Sequence, residues 1–133
     1  MPDIKHQWEK RVNLFQYIFS CLFVDGTSEQ IKKNAIEMFE FDADYLKCIE
    51  FFADNKESVI DLLINNISKD WSWNNISFHD RAVLIATVCE YNTLKLPKTV
   101  LIDQAIITAK NFGIDDNPSY KFINAILEKV LKE

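Results

Sequence analysis

Few residues of this chain have the chemistry of an active site. His6 and His79 are its two histidines, and neither has a histidine or cysteine at metal-ligand spacing. The 3 cysteines, Cys21, Cys48 and Cys89, lie far apart among apolar residues, with no C-x-x-C pair. An odd, scattered set of this kind reads as buried thiols in a reducing compartment, hence a cytoplasmic protein. Asp42 with Asp44, and Asp115 with Asp116, are carboxylate pairs in loops. Such pairs suit solvated turns or helix N-termini better than a cation site. No phosphate-cradling loop, dinucleotide motif or G-x-S-x-G is present. The expectation is a protein that binds and does not catalyse, with no metal and no cofactor.

Recognition chemistry remains. Lys5, His6, Lys10 and Arg11 form a basic segment near the N-terminus. Arginine occurs only at Arg11 and Arg81; the other basic residues, histidine aside, are lysine. A guanidinium offers phosphate a planar fork that an ammonium cannot copy. Arg11 fits either such a contact or a plain solvated helix face. Arg81 also fits pairing with Asp80 or Glu90, or covering a helix end. The formal net charge of -5 and pI of about 5.0 argue against broad, non-specific nucleic-acid binding. They leave room for a local basic patch.

These residues must be carried by helices. Of the 133 residues, 48% are hydrophobic and 26% charged, which is the balance of a globular chain with a real core. The 2 glycines and 3 prolines fall outside the apolar runs, and helix breakers confined to junctions point to an all-helical fold. The first helix is expected over about Ile4–Val24. Its basic start imitates a signal peptide, but Asp3 and Glu9 interrupt the basic segment and no small-x-small cleavage site follows. Thr27 or Ser28 caps a second helix with Ile31, Ala35, Ile36 and Met38–Phe39 inward. A third carries Tyr45, Cys48–Ile49 and Phe52–Ala53, breaks or kinks at residues 54–57, and continues through Val59 and Leu62–Leu63 to about Ser68. Residues 69–76, with Trp71 and Trp73, read as a linker whose aromatics either close a gap between two bundles or stack on bases.

Ser77 to Asp80 looks like a capping box opening a helix that is apolar on nearly all sides, and such a helix is central. Pro97 begins the next helix, with Gly113 just past its end, and Asn117-Pro118 starts the last. The architecture is thus all-α, six or seven helices in two small packed bundles. One domain spans 1–133, with an N-terminal bundle of about 1–70 and a C-terminal bundle of about 77–133 sharing a core. No apolar run reaches the ~18 residues of a membrane span.

The segment Pro97 to Lys129, P-K-T-V-L-I-D-Q-A-I-I-T-A-K-N-F-G-I-D-D-N-P-S-Y-K-F-I-N-A-I-L-E-K, resembles the C-terminal signature of the NusB family of bacterial transcription antitermination factors. That pattern runs roughly P-x-K-V-A-I-N-E-A-x-x-L-A-K-x-F-G, a loop, then S-x-K-F-V-N-G-V-L-D-K. Upstream, Asp80 to Glu90 resembles the family's acidic-basic-A-I-L-R-L-A-x-Y-E segment, and Lys10-Arg11 with Gln16 to Phe19 its A-R-x-x-A-x-Q-A-L-Y. The resemblance implies an all-helical two-bundle fold. It implies binding to boxA-type RNA in ribosomal RNA transcripts, together with a NusE-type small-subunit ribosomal protein and the RNA polymerase elongation complex. It would place RNA contacts at Lys5, His6, Lys10 and Arg11, and at Lys121, Phe122 and Asn124. Taken alone, Phe122 also reads as core, Lys121 as solvated and Asn124 as a backbone-bonding amide.

The chain departs from the pattern in its thinned arginine cluster, in Ile85 where the family has arginine, and in Asp103-Gln104 for N-E. These departures leave an alternative open: a protein-interaction module of the same fold that has lost specific RNA binding. Self-association as a homodimer is its variant.

Overall fold

A helix with no polar face has to be surrounded, and the chain is organised around one. The computed structural model describes residues 4–112 and 119–132, with side chains from Gln7 to Phe112 and from Tyr120 to Lys132. Among the described residues six α-helices follow one another: α1 Ile4–Cys21, α2 Ser28–Met38, α3 Ala43–Asn65, α4 Phe78–Leu94, α5 Lys98–Phe112 and α6 Ser119–Val130. A single 3₁₀ turn, Trp73–Asn75, lies between α3 and α4. No strand occurs among the described residues, so the fold is all-α. None of their helices is long and apolar enough to cross a membrane.

In α4, Asp80 and every residue from Ala82 to Glu90 are buried. The helix packs against α1, α3, α5 and α6, so both halves of the chain close on one core. Its N-terminus is set by Ser77, whose hydroxyl accepts from the Asp80 N–H at 3.1 Å. Helix α2 starts with a full capping box, Thr27 and Gln30 each satisfying the other's backbone N–H. Asp42 caps α3 through the Tyr45 N–H at 2.9 Å. The expected interruption at residues 54–57 is a bend: Asn55 leaves helical geometry at φ -128 and ψ 17 inside one continuous helix.

Two expectations on the helices are corrected. Helix α1 stops at Cys21, short of Val24, because Leu22 and Phe23 donate to carbonyls three residues back and tighten the chain out of the α form. In α2 only Ile31 and Ala35 are buried, while Ile36 is 66% and Met38 55% exposed. The helix packs mainly on α3 and less on α1. The core therefore takes one row of side chains four apart, and Ile36 falls a third of a turn away. The expected glycine stop at Gly113, the loop 114–118 with Asp115 and Asp116, and the cap at Asn117-Pro118 lie outside the described residues.

Helix α4 ends without glycine. Lys95 supplies the left-handed residue, at φ 56 and ψ 33. The Pro97 carbonyl then accepts from the Leu101 N–H and opens α5. A side chain at Lys95 carries the Cβ crowding that glycine avoids. Lys95→Gly is expected to raise stability by about 0.5–1 kcal/mol, after its greater freedom in the unfolded chain is discounted. A urea midpoint that falls would show that the lysine stem contributes contacts outweighing that crowding.

Candidate nucleic-acid interface

The two basic residues of α1 that are described with their side chains are both engaged within the protein. Lys10 is half-buried, its Nζ 2.6 Å from Asp42 Oδ2. Arg11 is only 8% exposed. Its Nε donates to Glu90 Oε1 and Oε2 at 3.2 and 3.0 Å, and Nη1 donates to Gln104 Oε1 at 3.3 Å. Tyr45 donates its hydroxyl to Glu90 Oε2 at 2.8 Å. One buried knot thus joins α1, α3, α4 and α5. The guanidinium expected at the RNA surface is turned inward, because a carboxylate buried in an apolar helix must find an opposite charge. The side chains of Lys5 and His6 lie outside the described residues.

Sequence reasoning missed Tyr45, Glu90 and Gln104. A signal was present: an acidic residue in a helix that is apolar all round is almost never buried unpaired. Burial pushes the Glu90 carboxyl pKa above its ordinary value, against the pull of Arg11 and the Tyr45 hydroxyl. Burial likewise raises Tyr45, with the Glu90 charge adding to it. At Asp42, burial opposes ionisation. The Lys10 ammonium and the Tyr45 N–H outweigh it, and the pKa is held below 3.8.

The C-terminal candidates lie on α6. Lys121 and Asn124 are exposed, and Phe122 is half-buried against the core. Trp71 covers the outer side of Phe122, with ring centroids 5.0 Å apart, and is itself 46% exposed. Trp71 thus packs on the last helix and leaves part of its indole at the surface. Helix α1 and helix α6 reach α4 as separate neighbours. No bond joins the two sets of candidates among the described residues.

Arg81 covers the start of α4. Its Nε donates to the Ile76 carbonyl at 3.0 Å, and its guanidinium lies over the rings of Phe78 and Trp73 at 4.6 and 5.1 Å. Phe78 meets Phe23 at 4.8 Å, Phe23 meets Phe19 at 5.1 Å, and His79 stacks on Phe19 at 4.4 Å. Phe23 is 58% and Phe78 40% exposed, so this aromatic ladder ends at the surface. Ile85, the position where the family pattern has arginine, is fully buried in α4. That departure belongs to the core. Among the described residues no cluster of histidine, cysteine and carboxylate could hold a metal, and all three cysteines are free and buried.

Replacing Glu90 by leucine strands the buried guanidinium and is expected to cost about 3–5 kcal/mol. Arg11→Met added to it should restore most of that loss, read from urea midpoints; simple addition of the two losses would show that the pair is not coupled. The Asp42 shift also sets a pH dependence. Its folded pKa lies below the unfolded one, so its contribution is present above the ordinary carboxylate range and lost as pH falls through the folded value. Asp42→Asn should therefore flatten the decline of stability below about pH 4, and an unchanged acid limb would assign that decline to other groups.

Comparison with known proteins agrees with this architecture. A sequence model described as the NusB family matches residues 9–132. The transcription antitermination protein NusB of Fervidobacterium nodosum is 34% identical over 128 residues, covering 96% of this chain and 82% of that protein. The protein of the same description from Clostridium tetani is 30% identical over 111 residues, covering 81% and 70%. A crystal form of T. maritima NusB superposes with a TM-score of 0.76 at 29% identity, covering 95% of this chain and 90% of that one. With its six helices, its central α4 and a match over nearly its whole length, the chain belongs to the NusB family of transcription antitermination proteins.

Proposed function

We propose that this protein binds boxA-type RNA in ribosomal RNA transcripts, together with a NusE-type small-subunit ribosomal protein, and joins the RNA polymerase elongation complex. The observation that carries the RNA part is the cluster on α6: exposed Lys121 and Asn124 beside Phe122 and the open indole of Trp71. A cation next to an exposed aromatic pair is an arrangement that can hold a single strand by phosphate and base together. Lys5 supplies further positive charge from α1 and His6 a hydrogen-bonding ring, while Lys10 reaches the RNA only at the expense of its pairing with Asp42. Arg11 acts on the RNA indirectly, by fixing α1 against α4. The exposed end of the aromatic ladder, Phe23 and Phe78, is the surface offered to the protein partner. The free thiols accord with a cytoplasmic setting.

A second reading has one specific observation in its favour. Lys10 and Arg11 are already neutralised by Asp42 and Glu90, which lowers the number of counterions an RNA could displace. In that reading the protein meets its partner, or a second copy of itself, through Phe23 and Phe78 and has no RNA preference.

Fluorescence anisotropy with a boxA oligonucleotide and a scrambled control, with and without the NusE-type protein over a salt series, separates the two. A partner-strengthened preference for boxA is expected. Lys121→Glu should weaken it about tenfold and lower the salt slope by about 1. Equal binding of both oligonucleotides in every condition would favour the second reading.

A further inference from the structure

A groove of about 460 Å³ opens between the start of α1, the start of α3 and the junction of α4 with α5. Its floor is Arg11 and Gln104, and its apolar wall includes Trp8, Leu94, Leu96 and Val100. Val100 is 46% exposed and lines the groove. Asp42 and Asp44 stand at its rim.

The charges in and around the groove can be followed one by one. Glu90 neutralises Arg11, and Lys10 neutralises Asp42. Asp44 has no ion-pair partner among the described residues and is exposed. Among the described residues it is the one unpaired charge lining the groove. The Arg11 side chain is nine-tenths buried, yet its Nη2 has no acceptor among the described residues. No side-chain nitrogen or oxygen there is sealed away without a partner, so Nη2 opens on the groove. A guanidinium that already holds a carboxylate suits a neutral acceptor such as a peptide carbonyl better than a second anion. The apolar wall asks for an aliphatic side chain, and Asp44 asks for a cation.

We propose that this groove receives an extended peptide segment of a protein partner, with a lysine or arginine beside an aliphatic residue. The aliphatic side chain lies along Leu96 and Val100, the cation meets Asp44, and a backbone carbonyl accepts from Arg11 Nη2. A polynucleotide fits less well, because its phosphates would face Asp44. The site is separate from the α6 cluster and from the aromatic ladder, and it stands whether or not the protein binds RNA.

The test is an amide and indole NMR titration of the full chain. The probes are capped five-residue peptides that pair one lysine with one leucine at each spacing, their glutamate counterparts, and a six-nucleotide RNA. Lysine–leucine peptides should move the Trp8 indole and the Leu96, Val100 and Gln104 signals, and the glutamate peptides should not. Asp44→Asn should weaken binding about threefold, and Val100→Asp about tenfold. Both are surface changes, and the same spectra report whether the fold is kept. The proposal is overturned if no lysine–leucine peptide moves these signals, if glutamate peptides move them equally, or if only the RNA does.

Discussion

A charge placed inside an apolar helix obliges the rest of the molecule to bring it a partner. Glu90 sits in such a helix, and the groups that answer it come from three others: Arg11 from α1, Tyr45 from α3, and Gln104 through Arg11 from α5. Apolar packing around α4 tolerates small slides of one helix along another. A bonded guanidinium and carboxylate do not, since displacement leaves both buried and unpaired. The knot therefore fixes the register of α1 on α4, and so where the basic segment of α1 faces. The aromatic ladder near Phe19 and the groove near Trp8 both flank the same helix, one toward each end.

This arrangement changes what the basic residues of α1 are for. In a chain of net charge -5, every internal ion pair removes a cation from the surface. Lys10 and Arg11 hold structure, and the free positive charge described on the chain lies in residues such as Lys121. Membership in the NusB family settles the class of protein. In the proposed reading, the balance between RNA and protein contacts rests on how few basic groups remain outward.

Much of the fold was legible because its signals are local. Ser77 as a cap, Thr27 as a cap, the bend near Asn55 and the burial of α4 all follow from residues within a few places of one another. The α2 stripe was misread at Ile36 and Met38, because periodicity shows which residues share a face and not how wide a face the neighbours cover. The candidate site was less legible. Arg11 looks like a surface arginine among Glu9, Lys10 and polar neighbours, and its partner is 79 residues away. Ile85 shows the reverse error: a departure from a motif suggested altered function at a position that the fold keeps wholly inside.

The shared core also bears on how the chain emerges from the ribosome. Helices α1 to α3 are synthesised first, yet the faces of α1 and α3 that meet α4 have nothing to cover them until residues beyond 78 are out. The Arg11 guanidinium waits as long for Glu90. The first half of the chain is thus born with apolar surface showing and a cation without its counter-charge, and it cannot settle on its own. Folding is held back until α4 arrives, and the exposed interval is when a chaperone that grips apolar helices has its opportunity.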